Sequence, residues 1–229
     1  MRSLASIAIA FVFASDGALA QATTEEPPPT ATDTTPALKA PAITEGTDEK
    51  KWSFSASAYT YIVPDSQVYV QPTIMAERGW LHLEARYNYE NLKTGSLWVG
   101  YNFSVGEKLA LEFTPMVGGV MGDTDGIAPG YRLSLSYWKL ELASEGEYVF
   151  DARDAAENFF YNWSELSISP VDWFRVGVVS QRTKLYQTEF DIQRGFLVGF
   201  SFWKMDLTAY VFNPDASQPT VVVGVGLSF

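Results

Sequence analysis

From Lys51 onward, apolar and polar positions alternate with a period of two. In the stretch "WLHLEARYNY" (80–89), Leu81, Leu83, Ala85, Tyr87 and Tyr89 share one face, and His82, Glu84, Arg86 and Asn88 share the other. The run "SLWVGYNFSV" (96–105) sets Leu97, Val99, Tyr101 and Phe103 against Ser96, Gly100, Asn102 and Ser104. "LALEFTPMV" (109–117) sets Leu109, Leu111 and Phe113 against Glu112 and Thr114, and "YRLSLSYW" (131–138) sets Tyr131, Leu133, Leu135 and Tyr137 against Arg132, Ser134 and Ser136. Successive side chains of a β-strand point to opposite faces, so each run reads as a strand with one apolar and one polar side. Turn residues separate the runs at short intervals: Pro64-Asp65, Glu77-Arg78-Gly79, Gly106-Glu107, Gly122 to Gly130, Asp151 to Asn158, Pro170-Val171-Asp172 and Asn213-Pro214-Asp215. The pattern predicts about twelve strands, near 51–63, 66–77, 80–90, 95–105, 109–120, 129–138, 139–150, 159–168, 172–182, 189–203, 205–212 and 218–229, with ten or eight as alternative counts.

The distribution of charge says which face points inward. Glu84, Glu112, Glu141, Glu145 and Glu165 and the arginines at 86, 132 and 175 all fall on the polar faces, while the apolar faces carry aromatics on nearly every strand. Turning the apolar faces toward lipid satisfies all strands at once, as in a closed antiparallel up-and-down transmembrane β-barrel. Aromatic residues make up 15% of the chain, yet its mean hydropathy is only −0.04, which suits alternating surfaces and not apolar helices. Five of the seven tryptophans, Trp52, Trp80, Trp138, Trp173 and Trp203, sit at alternate turns and so at one end of such a barrel. Tyr61, Tyr69, Tyr89, Tyr148, Phe160, Tyr186 and Tyr210 cluster toward the other end, so two aromatic girdles are expected at the two membrane interfaces. Lipid cannot hydrogen-bond an open sheet edge, so the last strand must pair with the first.

The ends of the chain give the compartment. Residues 1–20 hold Arg2, an apolar stretch to Phe13 and the small-residue ending Ala18-Leu19-Ala20, the layout of a secretory signal peptide cleaved after Ala20. Residues 21–50 are rich in Thr, Pro, Ala and acidic residues and contain no aromatic; they read as a disordered periplasmic tether. The barrel domain is then 51–229. Its final strand, "VVVGVGLSF", places Val221, Val223, Val225, Leu227 and Phe229 on one parity. This ending resembles that of bacterial outer-membrane β-barrel proteins of small, porin-like size. The resemblance implies residence in the outer membrane, contact with outer-membrane lipids and lipopolysaccharide, and handling by periplasmic chaperones and the barrel-assembly machinery, which would read Val225, Leu227 and Phe229.

Candidate chemistry in the wall is sparse. The chain has one histidine and no cysteine, which excludes thiolate chemistry and disulfides. Some outer-membrane barrels resemble lipid-facing hydrolases. Asn162 and Ser164 share the parity of Leu166 and Ile168, but His82 falls on the opposite, inward parity, and a nucleophilic serine needs a base within reach. "GDTDG" (122–126) lacks the rest of a calcium loop and reads as a turn. No enzyme, metal or cofactor is expected. A formal charge of −11 argues against nucleic acid as a partner.

The inward polar residues carry the functional reading. The expected lumen lining is His82, Glu84, Arg86, Glu112, Arg132, Glu141, Glu145, Glu165, Arg175, Gln181 and Gln193; Glu147, Asp191 and Asp206 share its parity. Eight carboxylates stand against three arginines, a surplus of five negative charges. The same charges fit an ion-pair lattice filling a narrow barrel or the lining of a wet pore, but desolvating unmatched carboxylates is costly, so part of the lumen is expected to hold water. Glu112 and Arg132, on neighbouring strands, are a candidate pair. In 180–195, Arg182, Lys184 and Arg194 fall near the outer rim, where a solvated loop or contacts to lipopolysaccharide phosphates would suit them. The function expected is a narrow, passive, cation-preferring channel for ions or small hydrophilic solutes. The alternative is a closed structural or interaction barrel without transport.

If the terminal ring serves assembly, Phe229→Ala should lower the amount of inserted protein in cells while protein refolded in detergent keeps its heat-modified gel mobility. Normal insertion of that variant would remove this role from Phe229.

Overall fold

The computed structural model describes residues 51–64, 66–183 and 191–229. The expected signal peptide and tether lie outside the described residues, as do Lys184 and Tyr186. Twelve strands follow in order. They are β1 Ser53–Ile62, β2 Tyr69–Arg78, β3 Leu81–Tyr87 and β4, which runs Gly95–Tyr101 and resumes after Asn102 as Phe103–Val105. Next come β5 Leu109–Met121, β6 Gly126–Tyr137, β7 Leu140–Asp151 and β8 Phe159–Val171, then β9 Phe174–Thr183, β10 Asp191–Phe202, β11 Met205–Phe212 and β12 Thr220–Ser228. Each strand is antiparallel to its neighbours in sequence, and β12 pairs with β1 from Ser55↔Ser228 to Ile62↔Val221, closing the ring. The expected closed antiparallel barrel of twelve strands is what the chain forms.

The break in β4 has a chemical cause. Its register against β5 is the same on both sides, Gly100↔Met116 and Phe103↔Phe113, so Tyr101 falls opposite Pro115, which has no N–H to donate. Pro129 does the same in β6. The glycine-rich stretch 122–130, expected as one turn, is strand from Gly126 because pairing to β5 continues through Gly126↔Val120, while the partners toward β7 skip Ala128 and Pro129.

Alternation sorts the side chains as a lipid-facing wall requires. On the outer face, Leu97, Ile127 and Phe196 are 61%, 62% and 60% exposed, while His82, Glu84 and Arg86 are buried within the barrel. The five connections at one end are tight turns. Trp138 and Trp203 each open a two-residue Trp-Lys turn at positive φ, of 55° and 56°, with the following lysine 5.7 Å from the indole centroid in both. Trp80 stacks on Tyr101, Trp173 on Phe200 and Trp52 on Phe54, so all five tryptophans of this end are exposed rings of an aromatic collar. At the other end the loops are longer. Arg153 pairs with Asp125 and donates to the Gly122 carbonyl at 3.1 Å, tying the 122–125 and 152–158 loops together.

The second expected girdle is different from the first. Tyr148 and Phe160 lie on the outward parity, but Tyr61, Tyr89 and Tyr210 are buried inside the barrel, and Tyr69 stacks on Tyr61 at 4.8 Å. Tyr59 and Tyr61 share the parity of Ser57, while Ala56, Ala58 and Ile62 take the outer face. Strand parity places Tyr61, Tyr69 and Tyr210 in the lumen, whereas Tyr89 enters it because β3 ends at Tyr87 and Asn88 turns the chain at a positive φ of 57°.

Two adjacent glycines test this sorting. A Cβ on Gly118, inside the barrel, would lie 2.4 Å from the Trp98 ring that covers it, whereas a Cβ on Gly119 meets nothing within 4 Å. Gly118→Val should cost about 1–3 kcal/mol through overpacking, read as a lower urea midpoint in lipid vesicles, and Gly119→Val should leave the midpoint in place.

Candidate functional site in the barrel interior

Each functional side chain owes its place to strand parity. β3 projects His82, Glu84 and Arg86 inward at successive alternate positions, and β7 projects Glu141, Ala143, Glu145 and Glu147 in the same way. Partners come both from the same strand, within His82, Glu84 and Arg86, and from strands farther round the ring. A chain of contacts runs from the turn end toward the loop end. His82 Nδ1 sits 3.0 Å from Glu77 Oε1, and His82 Nε2 3.0 Å from Glu84 Oε2. Arg86 Nε donates to Glu84 Oε1 at 2.7 Å, and Arg86 Nη1 reaches Glu147 Oε2 on β7 at 2.8 Å. Arg132 on β6 lies 3.2 Å from Glu84 and 3.7 Å from Glu145. Tyr89 donates its hydroxyl to Glu145.

Arg86 is enclosed by aromatic rings. Its guanidinium carbon lies 4.3 Å from the centroid of Tyr89 and 4.5 Å from that of Trp98. Two rings around a cation supply electrostatic attraction where water is absent. Glu90, fully buried in the 88–94 loop, accepts from Ser96 and Trp98 and lies 3.9 Å from Arg86. A second cluster sits on β8, β9 and β11. There Arg175 contacts Glu165 at 3.4 Å and Asp206 at 3.1 Å, while Trp163 and Tyr210 donate to Glu165 at 2.7 and 2.8 Å.

The interior has two levels. At the loop end it is filled by rings. Trp163 meets Tyr210 and Phe212 edge to face at 5.1 and 5.3 Å, Tyr89 meets Tyr161 at 5.2 Å, and Tyr210 and Phe212 are 1% and 0% exposed. Toward the turn end lies a cavity of about 180 Å³. Glu112, Glu141, Glu145 and Glu165 form its acidic wall, Arg132 and Arg175 its basic one, and Tyr59, Trp163 and Tyr210 its inner limit; it reaches Ser55, Glu77 and Ser228 at the turn end.

The expected residues thus separate. His82, Glu112, Arg132, Glu141, Glu145, Glu165 and Arg175 border the cavity. Glu84 and Arg86 are buried in the lattice beside it. Gln181 and Gln193 face each other across β9 and β10, inside the barrel but away from both groups. The Asp191 side chain lies outside the described residues. The candidate partners Glu112 and Arg132 are not opposite one another. The β5–β6 register sets Glu112 opposite Ser134 and Arg132 opposite Thr114, and the ion pairs of Arg132 go to Glu84 and Glu145 instead. Glu77, Glu90 and the inner rings were missed; inward parity on β1 and β11 would have found Tyr59 and Tyr210, while Glu90 sits in a loop where no period applies. Val225 and Leu227 lie on the outer face of β12, and the Phe229 N–H donates to the Phe54 carbonyl at 2.8 Å. Asn162 and Ser164 face outward, and His82 is held inside by its two carboxylates, so the wall separates them.

No protein-family model and no curated protein matches the sequence. Among solved structures, the chain is similar to a KdgM porin at 12% identity and a TM-score of 0.51, over 76% of this chain and 99% of that one. It is similar also to a KdgM porin in complex with disordered oligogalacturonate, at 12% identity and a TM-score of 0.50, over 77% of this chain and 99% of that one. The shared feature is the fold, a porin-like barrel.

Removing Arg86 would take the guanidinium from the buried Glu147 carboxylate and leave Glu84 with His82 and Arg132 alone. Arg86→Met should destabilise the barrel by roughly 3–5 kcal/mol, the cost of breaking a buried pair from one side. Urea unfolding in vesicles, followed by tryptophan fluorescence, measures it; a loss below about 1 kcal/mol, the range of an exposed pair, would show that water reaches the lattice.

Proposed function

We propose that this barrel is a narrow outer-membrane channel that passes ions or small hydrophilic solutes and prefers cations. The observation that carries the reading is the acidic cavity inside a closed wall. Among the described residues, nine carboxylates (Glu77, Glu84, Glu90, Glu112, Glu141, Glu145, Glu147, Glu165 and Asp206) face the interior with three arginines and His82. A low-dielectric wall focuses the field of that surplus and raises the local cation concentration. In this reading the tryptophan collar lies at the periplasmic interface, the 180 Å³ cavity is a periplasmic vestibule, and the ring-filled level is the constriction. The oligogalacturonate bound by one structural neighbour is a polyanion. An acid-rich interior repels such a solute, so the solute preference of this chain is of opposite sign.

The burial of Tyr210, Phe212 and Val149, each 1% exposed or less, favours a second reading, a closed barrel whose role lies at its surface. Single-channel recording of purified protein in planar bilayers separates the two. The channel reading expects small unitary currents and a cation-directed reversal potential that fades toward 1 M salt, where the screening length falls to about 3 Å. Glu112→Gln combined with Glu141→Gln should weaken the cation preference. Silence from the unaltered protein, with conductance appearing once Tyr210 and Phe212 are both replaced by alanine, would select the closed barrel. Anion preference would overturn the proposal.

A further inference from the structure

Among the described residues, the apolar outer wall is broken by a cluster of polar side chains on four adjacent strands. Tyr131, Ser144, Asn162, Ser164 and Ser180 take outward positions on four adjacent strands, β6 to β9, where alternation elsewhere supplies leucine or valine. Gly146 makes room for the first of them. The Tyr131 ring lies across it, at a place where a Cβ would come within 2.8 Å of the ring. The Tyr131 hydroxyl then sits 3.2 Å from Ser144 Oγ and accepts from Asn162 Nδ2 at 2.9 Å. Ser144 and Ser164 share a hydrogen bond of 2.9 Å, and Ser164 donates to Asn162 Oδ1 at 3.1 Å. Polar groups facing hydrocarbon must satisfy one another, and these four do.

The row does not stop with them. Strand register continues it from Ser144 to Ser164, then Ser180, then Arg194 near the loop end of β10. Among the described residues, neither the Ser180 hydroxyl nor the Arg194 guanidinium has a hydrogen-bond or ion-pair partner. Both border a groove of about 710 Å³ on the outer wall, floored by Leu142, Leu166, Val178, Ile192 and Phe196 and bounded at the rim by Asn213 and Asp215. A groove of that size suits a small amphipathic molecule. Its polar edge orders the chemistry: a cation at the rim, hydroxyls below it, and an apolar floor. We propose that this groove binds one phosphorylated membrane lipid. Arg194 takes the phosphate, Ser180 and Ser164 take the ester, amide or sugar groups beneath it, and an acyl chain lies along the floor. Guanidinium pairs with phosphate through parallel charge-assisted hydrogen bonds, and such a pair at the rim keeps its charges near water. The inference rests on the outer wall facing lipid and is independent of whether the lumen conducts.

The test uses full barrel in dodecyl maltoside, titrated with diphosphoryl lipid A and with the same lipid stripped of phosphate, with retained lipid counted by native mass spectrometry. One diphosphoryl lipid per barrel is expected, with about tenfold weaker retention of the stripped lipid, the scale of one charge-assisted contact, and Arg194→Gln should retain the two lipids equally. Val178→Trp, which fills the floor, should weaken both lipids. Arg153→Gln, at an exposed arginine paired with Asp125 on other loops, should change nothing. Heat-modified gel mobility establishes that each variant is folded. Equal retention of the two lipids by the unaltered protein, unaltered binding by Arg194→Gln, or a stable dimer that excludes lipid would overturn the proposal, and none of these bears on the bilayer recordings.

Discussion

Every other feature of this molecule depends on the pairing of β12 with β1. In hydrocarbon, an unpaired backbone amide has no water to turn to, so a sheet crossing a membrane must have no edge. The seam from Ser55↔Ser228 to Ile62↔Val221 supplies that closure. Once the ring is closed with its apolar parity outward, the inward parity of all twelve strands converges on one narrow space. That geometry brings the charges on β3, β6, β7, β8, β9 and β11 together, adding to the contacts His82, Glu84 and Arg86 make along β3 itself.

What happens inside follows from the size of the space. Eight strands leave an interior that side chains fill, and sixteen leave a water channel; twelve fall between. Here the two solutions are stacked. Where the lumen holds rings, the carboxylates beside them are dry and each has a directional partner: Glu147 on Arg86, and Glu90 on Ser96 and Trp98. Where it holds a cavity, Glu112 and Glu141 border open space. Arg86 joins the levels, bonded to Glu84 on one side and Glu147 on the other, between two aromatic faces. Contacts from β3 to β6 and β7 bypass the strands between them and brace the wall from inside, a rigidity that a wall of hydrogen-bonded strands alone does not give.

The fold was legible because period-two alternation is a direct imprint of a two-sided wall, and the strand count needed only the turns. Inward residues were legible for the same reason: parity placed Glu84, Arg86, Arg132 and Glu145 without reference to any neighbour. Pairing was not. Arg132 joins Glu84, 48 residues away in sequence and three strands away around the ring, because shear and side-chain reach decide partners, and neither is written in a single strand. The aromatics show the same limit. Trp80 and Trp203 in turns were placed by position alone, but Tyr61 and Tyr210 needed parity and height together. Glu90 lay in a loop that carries no period.

The departures from alternation are confined to a few strands, and they differ in kind. Rings on the inward parity of β1, β8 and β11 displace water from a lumen that the carboxylates of β5 and β7 would keep wet. Hydroxyls and an amide on the outward parity of β6 to β9 interrupt a wall that lipid would keep apolar. Neither departure helps the barrel close, since Leu or Val outside and small polar residues inside would do that at lower cost. Side chains that break a pattern the rest of the chain obeys are where selection for something other than folding acts. β8 belongs to both groups, with Trp163 and Glu165 on its inner face and Asn162 and Ser164 on its outer one. A single strand therefore couples the packed interior to the polar outer stripe, and a lipid seated outside would bear on the same backbone that positions Trp163 against Tyr210 within.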